Sequence, residues 1–287
     1  MHPEAWHLTH DLDEFLARAG DFLGSRPDLH TVQLTVTQAL RTRGLRLYGE
    51  QAPLFGTLEE EGGAVRATLM HTPPFPVHPT PLGAREAEGL ASRLADLGHP
   101  VPAVSAERDT AAAFAAAWQR RTGTRGRIRE RKRLYRLGEL SVPRPVPEGR
   151  ARVAGPADRD LLVSWYGAFM AAVGQPLNRD PGEWADAHIG HGGVTLWETP
   201  EGTPVSMAGV TPETAGQVRV APVYTPAHLR GHGYAGAVTA EVSRVALESG
   251  TAEVLLFTDL ANPTSNGLYQ RIGYRGVADF AEWEFGD

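Results

Sequence analysis

Apolar residues recur along this chain at two spacings, and their alternation predicts a mixed α/β architecture. Leu12, Phe15, Leu16, Ala19, Phe22 and Leu23 fall at helical spacing, so an amphipathic helix is expected from Asp11 to Phe22. Thr31 to Arg43 reads as a second helix, ended by Gly44. Leu54 to Glu60 and Ala64 to His71 flank Glu61-Gly62-Gly63 and predict a strand hairpin. The prolines of Thr72-Pro73-Pro74-Phe75-Pro76 cannot continue a central strand. A helix from Ala84 to Leu97, a strand from Val101 to Val104 and a helix from Asp109 to Arg121 come next.

Arg125 to Leu137 alternates arginine with other residues and predicts a strand with one arginine-lined face. A solvated edge strand guarded by charge accounts for it more simply than a groove for an anion or RNA. Val142-Pro143-Arg144-Pro145-Val146-Pro147-Glu148-Gly149 is a stiff linker that divides the chain almost in half. The second half repeats the element order: a helix from Ala157 to Val173, a hairpin from Val194–Glu198 and Val205–Val210, and a strand from Gln217 to Tyr224. A helix from Gly236 to Ser249, a strand from Glu253 to Phe257, a helix from Thr264 to Ile272 and an apolar tail to Phe285 complete it. Two domains are expected, 1–148 and 149–287, repeated in architecture more than in sequence.

Composition narrows the chemistry. The 287 residues contain no cysteine, which excludes disulfides, thiolate metal sites and a cysteine nucleophile. No apolar run is long enough to span a bilayer, and the N-terminus lacks a secretory pattern, so a cytoplasmic protein is expected. From Ala151 onward 8 Lys/Arg stand against 16 Asp/Glu, a net of −8, which leaves +2 for the first half. A second half this acidic suits a cationic small substrate better than nucleic acid. His188 and His191 are only two imidazoles, and read as a polar loop with no metal.

The chain's most informative stretch is Val223-Tyr224-Thr225-Pro226-Ala227-His228-Leu229-Arg230-Gly231-His232-Gly233-Tyr234-Ala235-Gly236. An apolar run ends in a glycine loop that opens a helix, which gathers backbone N–H groups around one phosphate-sized volume. Gly231-x-Gly233-x-x-Gly236 also fits a dinucleotide fingerprint, with Asp259 at the expected distance. Only 28 residues follow Asp259, too few for the rest of a dinucleotide fold.

Arg230-Gly231-His232-Gly233-Tyr234-Ala235 matches the R/Q-x-x-G-x-G/A signature of the GCN5-related N-acetyltransferases, the GNAT superfamily. Asn262-Pro263-Thr264-Ser265-Asn266-Gly267-Leu268-Tyr269-Gln270-Arg271-Ile272-Gly273-Tyr274 resembles that family's N-x-x-S-x-x-x-Y-x-x-x-G-F/Y helix. The resemblance is strong over Gln217 to Tyr274 and architectural over the first half, whose proline-rich turn carries no such signature. It implies two tandem GNAT-like domains, each a mixed twisted sheet flanked by helices, with a degenerate first and a catalytic second. The activity it implies is an N-acetyltransferase that uses acetyl-CoA and no metal, and acetylates a primary amine of a small molecule or peptide. Monomer and homodimer stay open, with no nucleic-acid or membrane partner.

What the resemblance assigns is specific. The pyrophosphate would lie on the N–H groups of Gly231, His232, Gly233, Tyr234, Ala235 and Gly236, beside Arg230. Val223, Tyr224 and Thr225 would flank the pantetheine arm, with the Val223 N–H facing the thioester carbonyl as oxyanion donor. Pro222 has no N–H for a sheet neighbour, which suits a strand that diverges there. Asn262, Ser265 and Tyr269 share one helix face. Asn262 would bond the pantetheine amide, and Tyr269 would protonate the departing thiolate. The strand before the loop offers no carboxylate, so Asp259 is the candidate base, with a turn cap as its simpler role. Trp165, Tyr166 and Phe169 are candidates for an acceptor pocket, though aromatics at helical spacing more often form core. Two readings from other classes stand beside this one: an NAD(P)-dependent oxidoreductase and a non-catalytic acyl-CoA sensor.

Overall fold

The structure is a computed structural model that describes residues 6–177 and 180–286. The first ten elements are β1 (Trp6–Thr9), α1 (Leu12–Ser25), α2 (Thr31–Arg43), β2 (Leu54–Glu59), β3 (Val65–His71), β4 (Val77–Pro79), α3 (Ala84–Asp96), β5 (Ala103–Glu107), α4 (Arg108–Thr122) and β6 (Arg125–Leu137). The next ten repeat that order: β7 (Arg150–Val153), α5 (Arg159–Ala172), α6 (Pro181–Gly190), β8 (Val194–Glu198), β9 (Pro204–Val210), β10 (Gln217–Tyr224), α7 (Tyr234–Glu248), β11 (Glu253–Asp259), α8 (Pro263–Ile272) and β12 (Tyr274–Gly286). The expected helices and hairpins are present. The short strands β1, β4 and β7 were not foreseen, and His188 lies in helix α6 where a loop was expected.

The chain forms two compact units. Unit 1 runs to Leu134 and includes Asp259–Ala261 and the chain from Ala278 onward; unit 2 holds Tyr135–Thr258 and Asn262–Val277. The division falls inside β6, ahead of the proline-rich 142–149 segment, and the chain's final strand contributes to unit 1.

In unit 1 the strands run β1-β2-β3-β4-β5, antiparallel except for the parallel β4–β5 contact at Val77↔Val104. Phe280–Glu284 of β12 lies antiparallel on the far side of β5. Side chains alternate across the sheet. Phe55 and Met70 join Phe15 and Leu23 of α1, while Leu54 and Leu69 join Leu90 and Leu94 of α3 and Phe114 of α4. Asp11 starts α1 by accepting from the N–H groups of Asp13 (2.9 Å) and Glu14 (3.0 Å). The arginines of β6 meet carboxylates of β12: Arg127 with Glu284, Arg129 with Glu282 and Arg133 with Asp279. That antiparallel ladder of charges joins the largely exposed arginine face to β12, so β6 has a strand neighbour and is not the edge that alternation alone suggested.

In unit 2 the order is β11-β10-β9-β8-β7, antiparallel except for β10–β11. Leu196 and Met207 pack with Leu162, Trp165 and Trp184 of α5 and α6. Val218, Val220 and Leu256 pack with Val238 and Val242 of α7 and Ile272 of α8.

Candidate active site

Strand β10 parts from β11 partway along its length. The two pair in parallel over Gln217↔Glu253, Val218↔Val254 and Arg219↔Leu255, and among the described residues the ladder ends there. On the other side, Val220 faces Val210 and Val223 faces Ala208, so three steps on β10 match two on β9. This is a β-bulge at Ala221-Pro222, where Pro222 has no N–H to lose. Gly209 permits it, since a Cβ there would sit 2.6 Å from the Ala221 carbonyl oxygen. The apolar strand thus enters a one-sided stretch, Val223–Thr225, before Pro226 ends it.

A single 3-10 turn, Ala227–Leu229, leads into the glycine loop. Gly231 and Gly233 both have φ of +84°, the left-handed region that glycine enters without steric cost. They turn the chain so that α7 starts at Tyr234 with Gly233 as its N-cap, and no side chain caps it. The first helical bond runs from Ala237 N–H to the Gly233 carbonyl (3.0 Å), which leaves the N–H groups of Tyr234, Ala235 and Gly236 without intrahelical acceptors. The loop itself is exposed. His232 donates from Nδ1 to the Leu229 carbonyl at 3.2 Å and stacks on Tyr234. Gly236 serves packing, since a Cβ there would come within 3.1 Å of Leu268 Cδ1.

Helix α8 stands beside α7. Asn262 is its N-cap and accepts from the Ser265 N–H at 3.0 Å, so its oxygen is committed to the helix. Tyr135 of β6 orients the same helix by donating to Asn266 Oδ1 (2.9 Å) and accepting from Gln270 Nε2 (3.2 Å). Sequence reasoning did not single out Tyr135, because nothing in an arginine-rich strand marks one tyrosine as a partner. Tyr269 is buried, edge-on to Tyr274, and burial pushes its phenol up to about 12. Tyr274 is raised as well, by burial, while its hydroxyl bonds Ser243 at 2.7 Å.

Residues 160–274, which contain α6, β8, β9, β10, α7, β11, α8 and nearly all of α5, match the Acetyltransferase (GNAT) family. That stretch is a GNAT-family domain. The chain's full length shares the fold of a GCN5-related N-acetyltransferase from Sphaerobacter thermophilus (18% identity, 99% of this chain and 97% of that one, TM-score 0.62). A GNAT-family acetyltransferase from Colwellia psychrerythraea is similar over 98% and 99% of the two chains (10% identity, TM-score 0.61). A tandem GNAT protein from the clavulanic acid biosynthesis pathway shares the fold over 97% of each chain (12% identity, TM-score 0.55). No curated protein matches the chain. Acyl-CoA-dependent acetyl transfer is the general activity of this family, with acetyl-CoA as donor.

The remaining predicted residues divide. Val223, Tyr224, Thr225, the Arg230–Gly236 loop, Asn262, Ser265 and Tyr269 all belong to unit 2. Asp259 belongs to unit 1, where its Oδ1 accepts from the Ala261 N–H at 2.8 Å, which is the geometry of a turn cap. Trp165 contacts Tyr224 with ring centroids 5.9 Å apart, and Tyr166 stacks on Trp184 at 4.4 Å. His188 and His191 hold helical carbonyls through Nδ1, and no cluster of three metal-ligating side chains occurs among the described residues. No described helix is long and apolar enough to cross a membrane.

Proposed function

We propose that this chain transfers an acetyl group from acetyl-CoA to a primary amine of a small molecule or peptide by direct attack. The observation that carries the reading is the sequence of events along one backbone. Strand β10 leaves β11, bulges, and within ten residues of its end opens an uncapped helix N-terminus. Acetyl-CoA supplies an acetyl group activated as its thioester. The free N–H groups at the start of α7 suit its pyrophosphate, because they combine unpaired donors with the positive end of the helix dipole. Val223 aims its N–H at the carbonyl that gains charge as the amine attacks. Tyr269, its phenol raised by burial, keeps its proton at neutral pH and stands as the donor to the departing thiolate. Asn262 offers its side-chain N–H groups to the pantetheine arm, since its oxygen caps α8. The absence of cysteine leaves no thiol to carry an acyl group, so attack on the thioester is direct.

Calorimetry with acetyl-CoA and with NADH is the first test, followed by thiol release across an amine panel. Acetyl-CoA binding at one site per chain and amine-dependent release of CoA are expected. Binding of NADH with none of acetyl-CoA would overturn the reading.

A further inference from the structure

Ser206 of β9 is wholly buried beside the end of β10. Its Oγ donates to the Tyr224 carbonyl at 3.1 Å and lies 2.8 Å from Thr225 Oγ1, which must then donate to it. From the other direction, Arg230 Nε donates to the Thr225 carbonyl at 3.1 Å. Two successive carbonyls are therefore tied by side chains, one from the neighbouring strand and one from the glycine loop. In a trans peptide the carbonyl and the next N–H point opposite ways. With the Tyr224 carbonyl drawn toward β9, the Thr225 N–H points away from β9, to the side where the β10–β11 ladder has stopped. Strand alternation turns the Val223 N–H the same way.

We infer that Ser206 is a positioning residue: it fixes the Tyr224–Thr225 peptide and so aims the Val223 and Thr225 N–H groups, while Arg230 couples that aim to the phosphate-binding loop. The inference rests on the acetyl-CoA reading above. A serine inside an apolar strand carries no motif, and only the hydrogen bonds reveal it.

Amide NMR on the full chain tests it without needing the acceptor. In the wild type, the Val223 and Thr225 amide protons should shift differently with acetyl-CoA than with CoA, which lacks the acyl carbonyl. In Ser206→Ala, calorimetry should give an acetyl-CoA Kd within about threefold of wild type. Those differential shifts should fall by about half or more, and kcat about tenfold with little change in KM, as expected when one donor loses its aim. Thr225→Val removes the outer hydroxyl of the chain and should weaken the same shifts, and it serves if Ser206→Ala does not fold. Wild-type shifts in a folded variant of either kind overturn the positioning role. Failure of the wild type to bind acetyl-CoA overturns the functional reading instead.

Discussion

In each unit a strand runs through a short turn into a helix, and the N–H groups of the two turns meet opposite fates. In unit 1, between β4 and α3, Pro79 and Pro81 have no N–H at all. Thr80 donates to the Thr68 carbonyl (2.9 Å), Leu82 to Thr110 Oγ1 (2.9 Å) and Gly83 to Glu86 Oε2 (2.7 Å). The Glu86 carboxylate, buried and ion-paired to Arg66, already places a negative charge at the start of α3. In unit 2 the corresponding loop is exposed and α7 begins without a side-chain cap. The lesson is that the same order of elements can engage its turn donors internally in one unit and leave them exposed in the other. We propose on this ground that unit 1 does not hold CoA, which calorimetry would break by finding two equivalent acetyl-CoA sites per chain.

The largest expected effect confines the chemistry to unit 2. Tyr269→Phe keeps the buried ring and removes the hydroxyl proposed as proton donor, so kcat for thiol release should fall about a hundredfold or more. Acetyl-CoA affinity should change little. Turnover within about threefold of wild type would sink the role of Tyr269 and, with it, the strongest functional difference between the units.

Acid should sharpen the contrast next. His71 of unit 1 is fully buried, its Nδ1 2.7 Å from His99 Nε2 and its Nε2–H on the Phe75 carbonyl. Burial, and then the neighbouring His99, push it down to about 4 from an ordinary 6.5. Between those values the unfolded chain binds a proton that the folded unit refuses. Stability is therefore full above about pH 6.5 and falls as pH drops to about 4, by on the order of 3 kcal/mol. In unit 2, Asp158 is held below its ordinary 3.8 chiefly by Arg152, so its contribution persists at these pH values and is lost only in stronger acid. Hydrogen exchange read segment by segment should show β3 loosening before β7 and β8 as pH falls. The reverse order, or a His71→Gln variant with the same acid profile as wild type, would refute this account.

How much of this was legible beforehand depends on the range of the interaction. The strand-to-helix turn of unit 2 could be read because its signals are local: a proline that ends a strand, glycines where φ must be positive, and Asn262 and Tyr269 on one helix face. The glycine at 209 is a weaker local signal of the bulge it faces. What could not be read are pairings across long separations. Ser206 looks like a strand residue, and the arginines of β6 like an exposed edge. Their partners lie as far as 157 residues away, as for Arg127 and Glu284. The same limit explains why β12, read as a tail, supplies a strand to unit 1.

A smaller effect tests the occupied turn directly. Glu86→Ala should lower stability by about 1–2 kcal/mol, because a buried N–H loses its acceptor. It should still leave one acetyl-CoA site per chain, since it frees only the Gly83 N–H while those of Thr80 and Leu82 stay bonded and the prolines have none. A second site in Glu86→Ala would show that the carboxylate alone keeps unit 1 empty.

The smallest effect concerns the glycines that shape the two turns. Gly83 has φ of −73°, and an added Cβ would meet Glu86 Oε2 at 3.4 Å, an ordinary contact. Gly83→Ala should therefore stay within about 0.5 kcal/mol of wild type. Gly231 has φ of +84° and open space around the missing Cβ, so any cost of Gly231→Ala comes from the backbone alone. That cost should be about 1 kcal/mol, and Gly231→Asn should recover part of it, because asparagine tolerates the left-handed region better than alanine does. Denaturant midpoints for the three variants separate the cases. Equal costs at 83 and 231 would mean that the unit 2 turn is not held in its left-handed form by the fold, and that its N–H groups are presented only when a ligand gathers them.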